Sequence, residues 1–220
     1  MTKRTRLAAV RCRMVIVVAA VVGTAVLGTG PLFAQSKSDV RRFSVAASVG
    51  IARPSDQAFR ELYGSLSYPL SIQADYGLYK NLLVFSEYEY VRRTGKTQVV
   101  GSDLLLTGDP IKFRMHTFGM GLLYAFHVHR FILLAGGGAG LHCYSEAWEA
   151  AGLTTTGNKA GFVAQGGGEH PLSRHISLIG RVEYSRIAVK AKSASENDAN
   201  LGRLELLLGL SFHLGRALHR

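Results

Sequence analysis

From Arg42 onward, apolar side chains recur at every second position, the spacing of a strand with two unlike faces, and no stretch shows a convincing helical period. In the first segment Phe43, Val45, Ala47, Val49 and Ile51 share one face, with Ser44, Ala46, Ser48, Gly50 and Ala52 on the other. Seven further segments follow the rule, near residues 70–78, 82–90, 111–126, 131–144, 160–169, 176–185 and 203–214. The last sets Leu204, Leu206, Leu208, Leu210, Phe212 and Leu214 against Arg203, Glu205, Gly209, Ser211 and His213. In the fourth, Lys112, Arg114 and His116 occupy the apolar register, so its outer half must leave apolar surroundings or contain a bulge.

The connections alternate as regularly as the faces do. Short turns join segments 2 and 3 (Tyr79 to Asn81), 4 and 5 (His127 to Arg130), and 6 and 7 (His170 to Arg174). Long polar stretches join the others: Pro54 to Pro69, Thr94 to Pro110, Ser145 to Asn158 and Lys192 to Asn200. An even-stranded meander with its long loops at one end and tight turns at the other predicts an all-β fold, an eight-stranded antiparallel up-and-down transmembrane β-barrel.

Which face looks outward follows from the composition of the second face. In a soluble barrel that face would meet water and favour long charged side chains, whereas here it is mostly Ser, Ala, Gly, Gln and Thr, suited to a narrow, filled lumen. Among its few ionic residues, Glu87, Glu89, Arg181, Glu183, Arg203 and Glu205 are expected to form a polar plug, since desolvated charges are tolerated only when paired or hydrated. Asp75, Glu169 and His213 share the lumen register. The excess of acid must meet water, hold a proton, or contact strand-end cations such as Arg92 or Arg186. Aromatic residues such as Tyr68, Tyr76, Tyr90, Tyr124 and Phe126 fall toward the strand ends, as an interfacial girdle requires.

The start of the chain changes the reading of its charge. Residues 1–34 hold Lys3, Arg4, Arg6, Arg11 and Arg13 and no acid, then an apolar run from Met14 to Leu27, then Gly28, Gly30 and Pro31. That is the layout of a secretory signal peptide cleaved after Ala34, leaving residues 35–220 as the barrel domain. The formal charge of +11, with 26 basic and 15 acidic residues, falls to +6 without those five. No basic stripe with interleaved aromatics remains, which argues against nucleic-acid binding. A content of 47% hydrophobic residues excludes a disordered chain. Of the two cysteines, Cys12 lies in the leader, so the mature chain keeps Cys143 alone and forms no intramolecular disulfide.

The leader, the eight strands and the alternating connections together resemble the small outer-membrane β-barrel proteins typified by the membrane domain of OmpA and its single-domain relatives. The resemblance covers roughly residues 41–214 and includes the phrases Gly119-Met120-Gly121-Leu122-Leu123-Tyr124 and Gly180-Arg181-Val182-Glu183-Tyr184. It implies a bacterial outer-membrane location, with outer-membrane lipid and the barrel insertion machinery as partners. Members usually end on an aromatic residue that this machinery reads, whereas this chain continues past Phe212 with Leu214-Gly215-Arg216-Ala217-Leu218-His219-Arg220.

Candidate chemistry is sparse. His175 and Ser177 have the H-x-S spacing that resembles the lipid A 3-O-deacylase barrel, with Glu183 as an orienting acid. The trio starts at the periplasmic turn, however, while the acyl esters lie in the outer leaflet. His127 and His129 would share a face in extended structure, but a third metal ligand is not evident. Gly136-Gly137-Gly138 lacks the phosphate-loop pattern and suits barrel curvature or close strand packing. No catalytic, cofactor-binding or metal residues are therefore assigned, and no cofactor is expected. The reading is a non-enzymatic structural or surface-interaction protein acting through four long extracellular loops that meet an extracellular ligand. A narrow solute pore, a lipid A-modifying enzyme and a soluble lipocalin-like barrel are the alternatives.

Overall fold

The computed structural model describes residues 43–96, 108, 110–149, 152–189 and 199–214. In chain order the elements are β1 (Phe43–Pro54), α1 (Gln57–Tyr63), β2 (Leu70–Tyr79), β3 (Leu82–Lys96), β4 (Pro110–Val128) and β5 (Phe131–Trp148). Then follow β6 (Leu153–Pro171), β7 (Ile176–Arg186), β8 (Ala188–Val189), β9 (Ala199–Asn200) and β10 (Arg203–Leu214). Eight strands close into a barrel in the order β1-β10-β7-β6-β5-β4-β3-β2, and β8 pairs with β9. Every pairing is antiparallel. The signal-peptide segment 1–34 lies outside the described residues.

Paired residues followed once round the wall lead from Ser44 through Asp75, Phe85, Gly121, Gly138, Val163, Ser185 and Arg203 to Pro54. The ladder thus returns ten residues further along β1 than it began. That stagger over eight strands tilts each strand by about 40° and leaves a backbone radius of about 8 Å, room for side chains alone.

Burial is inverted relative to a soluble protein. Leu208 is 58% exposed and its β10 neighbour Glu205 only 1%. Exposing a ladder of leucines while burying glutamates is stable only where the outer solvent is hydrocarbon. The outward leucines of β10 reach from Leu204 to Leu214, about 25 Å along the axis after tilt, the height of an outer-membrane hydrocarbon band.

Two features differ from the pattern of the sequence, and a third settles a choice that the pattern leaves open. Residues 57–63 form a helix, capped by the Asp56 carboxylate, whose Oδ1 accepts the Phe59 N–H at 2.9 Å. The stretch 145–158, expected as a loop, is mostly wall: β5 continues to Trp148, β6 begins at Leu153, and their pairing runs without interruption. Thr154, Thr155 and Thr156 supply the β-branched side chains that favour strand there. The paired parts of β4 have no bulge at Lys112, Arg114 and His116, because β3 and β5 run alongside in continuous register. At 19 residues β4 is far longer than the roughly 9–11 needed to cross, so its charged half projects beyond the membrane.

Glycine permits the tight approach of β4 and β5. A methyl group on Gly136 or Gly138 would lie 2.0 Å from the carbonyl oxygen of Leu122 or Met120. At the β4–β5 turn His129 has φ 52°, so it leaves the extended face on which a shared metal with His127 depended.

Candidate functional site

The lumen is filled in layers by inward side chains, each held at its height by strand register. At the end bearing the short turns, Ala46, Leu83, Phe85, Leu123, Ala125, Ile132, Leu134 and Ile179 pack as an apolar floor. The composition of this face predicts mostly small and polar residues, but β3, β4 and β5 each place large hydrophobic residues on it here. At the long-loop end a second apolar cluster of Ile111, Phe113, Met115 and Ile187 receives Tyr63 from α1, with Phe59 and Leu62 packed against it. Phe59 meets Phe113 edge-on at 4.9 Å between ring centroids. The Arg93 guanidinium donates to the Tyr63 carbonyl and ties α1 to the wall. Burial and the neighbouring Glu146 carboxylate push the Tyr63 phenol above its ordinary pKa.

Between floor and cap lies an ionic belt. Arg181 Nη2 donates to Glu87 Oε1 at 2.8 Å and to Ser71 Oγ at 2.9 Å, while Nη1 reaches Gln165 Oε1 at 3.3 Å. Arg203 bridges Glu89 and Glu205, and its Nη1 and Nη2 approach Met115 Sδ at 3.6 Å and Thr117 Oγ1 at 3.5 Å. Thr117 in turn contacts His142 Nδ1 at 3.0 Å. Glu183 completes the set, buried beside Glu87 and Glu205. All six residues named from the sequence, Glu87, Glu89, Arg181, Glu183, Arg203 and Glu205, therefore stand together in the lumen.

Four glutamates face two guanidiniums in the belt. Glu89 and Glu205 share the Arg203 guanidinium, Glu87 takes that of Arg181, and the carboxylate of Glu183 lies close to those of Glu89 and Glu205. Carboxylate oxygens of Glu89, Glu183 and Glu205 lie within 4.8 Å of one another, a hard-oxygen set in outline. The Arg203 guanidinium already sits on two of the three and supplies the positive charge there. Arg92 and Arg186, anticipated as further countercharges, cannot serve. Both lie in the outward register of β3 and β7 and are exposed.

The serine–histidine candidate is reassigned by the same register. Ser177 Oγ lies 2.9 Å from Nε2 of His213, and that same nitrogen lies 2.7 Å from Glu169 Oε1. His175 turns away, with its Nδ1 3.4 Å from the His213 carbonyl oxygen. Glu183 is six residues along β7 from Ser177, about 20 Å away. A triad needs serine and acid on opposite ring nitrogens, whereas here both use one nitrogen, and Ser177 has no exposed surface. That His213 is the partner of Ser177 cannot be seen in local spacing. The β10–β7 ladder that pairs Ser211 with Ser177 brings the next inward residue of β10 into reach.

Fold and lumen together define a membrane β-barrel closed by its own side chains. The sequence matches the family model of the outer membrane protein beta-barrel domain over residues 22–213, and the chain belongs to that family. Among solved structures it is similar to Neisserial surface protein A, with 18% identity, a TM-score of 0.58, and coverage of 78% of this chain and 97% of that one. It is also similar to a major outer membrane protein from Thermus thermophilus, with 15% identity, a TM-score of 0.50, and coverage of 78% and 99%. At these identities the likeness is one of fold. No curated protein matches the sequence.

Proposed function

We propose that the protein is a non-enzymatic, non-conducting barrel of the bacterial outer membrane that presents its extracellular strands and connections as a contact surface. The observation that carries this reading is the three-level filling of the lumen: apolar floor, ionic belt and aromatic cap. Each level is built from buried side chains, and together they oppose a continuous water path through a barrel of this radius. The outward end supports a surface role, because β3, β4, β5 and β6 extend well past the length needed to cross. Scaffold-mounted extensions of this kind are where recognition is placed. The name of Neisserial surface protein A accords with such a role. Export through a cleaved leader at residues 1–34 fits the same reading.

Planar-bilayer recording on the protein extracted in mild detergent tests it. The expected record shows no discrete conductance steps. Reproducible steps with an ohmic current–voltage relation would replace this reading with the narrow pore.

A further inference from the structure

The charged residues of the described barrel strands are sorted by face. Every acid on them, Asp75, Glu87, Glu89, Glu146, Glu169, Glu183 and Glu205, occupies an inward register position. Outward positions of these strands carry no acid at all. They carry Arg53, Arg92, Lys96, Lys112, Arg114 and Arg186, all at the long-loop end. Packing inside the barrel does not require this sorting, since these cations make no part of the belt.

Two of them are placed side by side. Arg92 on β3 pairs directly with Arg114 on β4, one step above the pair Tyr90 and His116. Both arginines are exposed. Like charges directly opposite on neighbouring strands repel and cost stability unless an anion lies between them. Lys112, the next outward residue of β4, is neutralised by Glu149 at 2.6 Å, whereas neither arginine has a carboxylate partner among the described residues. Below them the rings of Tyr88, Tyr90, His116 and Phe118 form a continuous aromatic shelf, with centroid separations of 5.0 to 6.1 Å. Such a shelf marks the membrane interface. The arginine pair therefore sits at the level of the outer-leaflet headgroups.

We infer that Arg92 and Arg114 form a lipid-facing clamp for a phosphate group of a phosphorylated glycolipid in the outer leaflet. Two guanidiniums on adjacent strands present forked donors to one tetrahedral anion, which converts their repulsion into a charge-assisted bridge. The acyl chains of such a lipid would lie along the apolar wall of β3 and β4 beneath, over Phe118, Met120, Leu122 and Val84. The inference rests on the outward apolar band lying in the membrane.

The test uses the protein extracted in mild detergent from membranes of expressing cells, with bound lipid counted by native mass spectrometry. It is titrated with bis-phosphorylated lipid A, with the same lipid after removal of both phosphates, with phosphatidylglycerol and with inorganic phosphate. Bis-phosphorylated lipid A is expected to bind at least roughly tenfold more tightly than its dephosphorylated form or phosphatidylglycerol, and inorganic phosphate is not expected to compete. Near-surface arginines are each worth about a fivefold factor, so R92Q/R114Q should weaken binding about 25-fold. R92K/R114K, which keeps charge without the fork, should lose less.

Equal binding of the dephosphorylated lipid, or unchanged binding to R92Q/R114Q, overturns the clamp. Equal binding of phosphatidylglycerol replaces it with a general anionic rim, and competition by inorganic phosphate replaces it with a soluble-anion site. If R92Q/R114Q does not fold, comparing the lipids on the unaltered protein still decides. Loss of lipid binding on a barrel that keeps its compact gel mobility counts against this inference alone, whereas recovery of the protein in the soluble fraction counts against the membrane reading beneath it.

Discussion

Arg203 is the most informative single position in the lumen. It is 2% exposed and bridges two buried glutamates, Glu89 and Glu205. Replacing it with methionine keeps the length and the apolar stem but leaves both carboxylates without their guanidinium. Breaking a buried ion pair from one side costs about 3–5 kcal/mol, because the orphaned charge stays desolvated. With a urea dependence of about 2 kcal/mol per molar, R203M should lower the unfolding midpoint by about 2 M. Unfolding and refolding in lipid vesicles, followed by tryptophan fluorescence and by loss of the compact gel band, measure that shift. The triple variant E89Q/R203M/E205Q should recover most of the loss, since it removes the stranded charges along with their partner. A midpoint for R203M within about 0.5 M of the unaltered protein, a change of about 1 kcal/mol, would falsify the claim that the belt is a dry, mutually dependent network.

Other parts of the wall yield further tests. G138V places side-chain atoms against the Met120 carbonyl oxygen and should prevent β4–β5 closure, seen as loss of the compact unheated band; a normal band would contradict the close approach. F59A/Y63A removes the aromatic cap and should cost roughly 3 kcal/mol or more in urea titrations, yet bilayer recordings should stay silent because the belt and floor still block the lumen. Conductance in that variant would show that the cap alone seals the barrel. S177A should leave the acylation pattern of extracted lipid A unchanged, as mass spectrometry of the lipid would report, because the hydroxyl is buried against His213. An altered pattern would return Ser177 to candidacy as a nucleophile.

Much of the wall is legible in the sequence because a period of two leaves few choices. Once Leu204, Leu206 and Leu208 are placed on the lipid side, Arg203 and Glu205 must face inward, and the same step assigns Glu87, Glu89, Arg181 and Glu183. Which of these touch is not legible. Arg203 meets Glu89 across 114 positions because of the ten-residue stagger, a property of barrel closure that no local pattern encodes. Arg92 and Arg186 mislead for a related reason. Their parity places them outward, and the excess of lumen acid, which suggests otherwise, does not override a strand's period of two. The helix α1 does leave a trace: Asp56 followed by Phe59, Leu62 and Tyr63 is a cap and an i, i+3, i+4 face, obscured by its length of only seven residues. The apolar floor is harder, since Leu83, Phe85, Ile132 and Leu134 sit next to outward hydrophobic residues and blur the alternation. The β5–β6 extension is hidden by its polar composition, which above the membrane suits a strand as well as a loop.

The wall, the belt and the arginine pair all depend on the apolar face of the barrel meeting lipid and the polar face meeting its own interior. Heat-modifiability tests that most directly: the membrane fraction is extracted in mild detergent and run on a gel unheated and boiled. A closed, lipid-embedded barrel gives a compact, faster-migrating band that shifts on boiling. A protein found in the soluble fraction, with the same mobility before and after heating, would contradict this and mean that the faces are assigned the wrong way round.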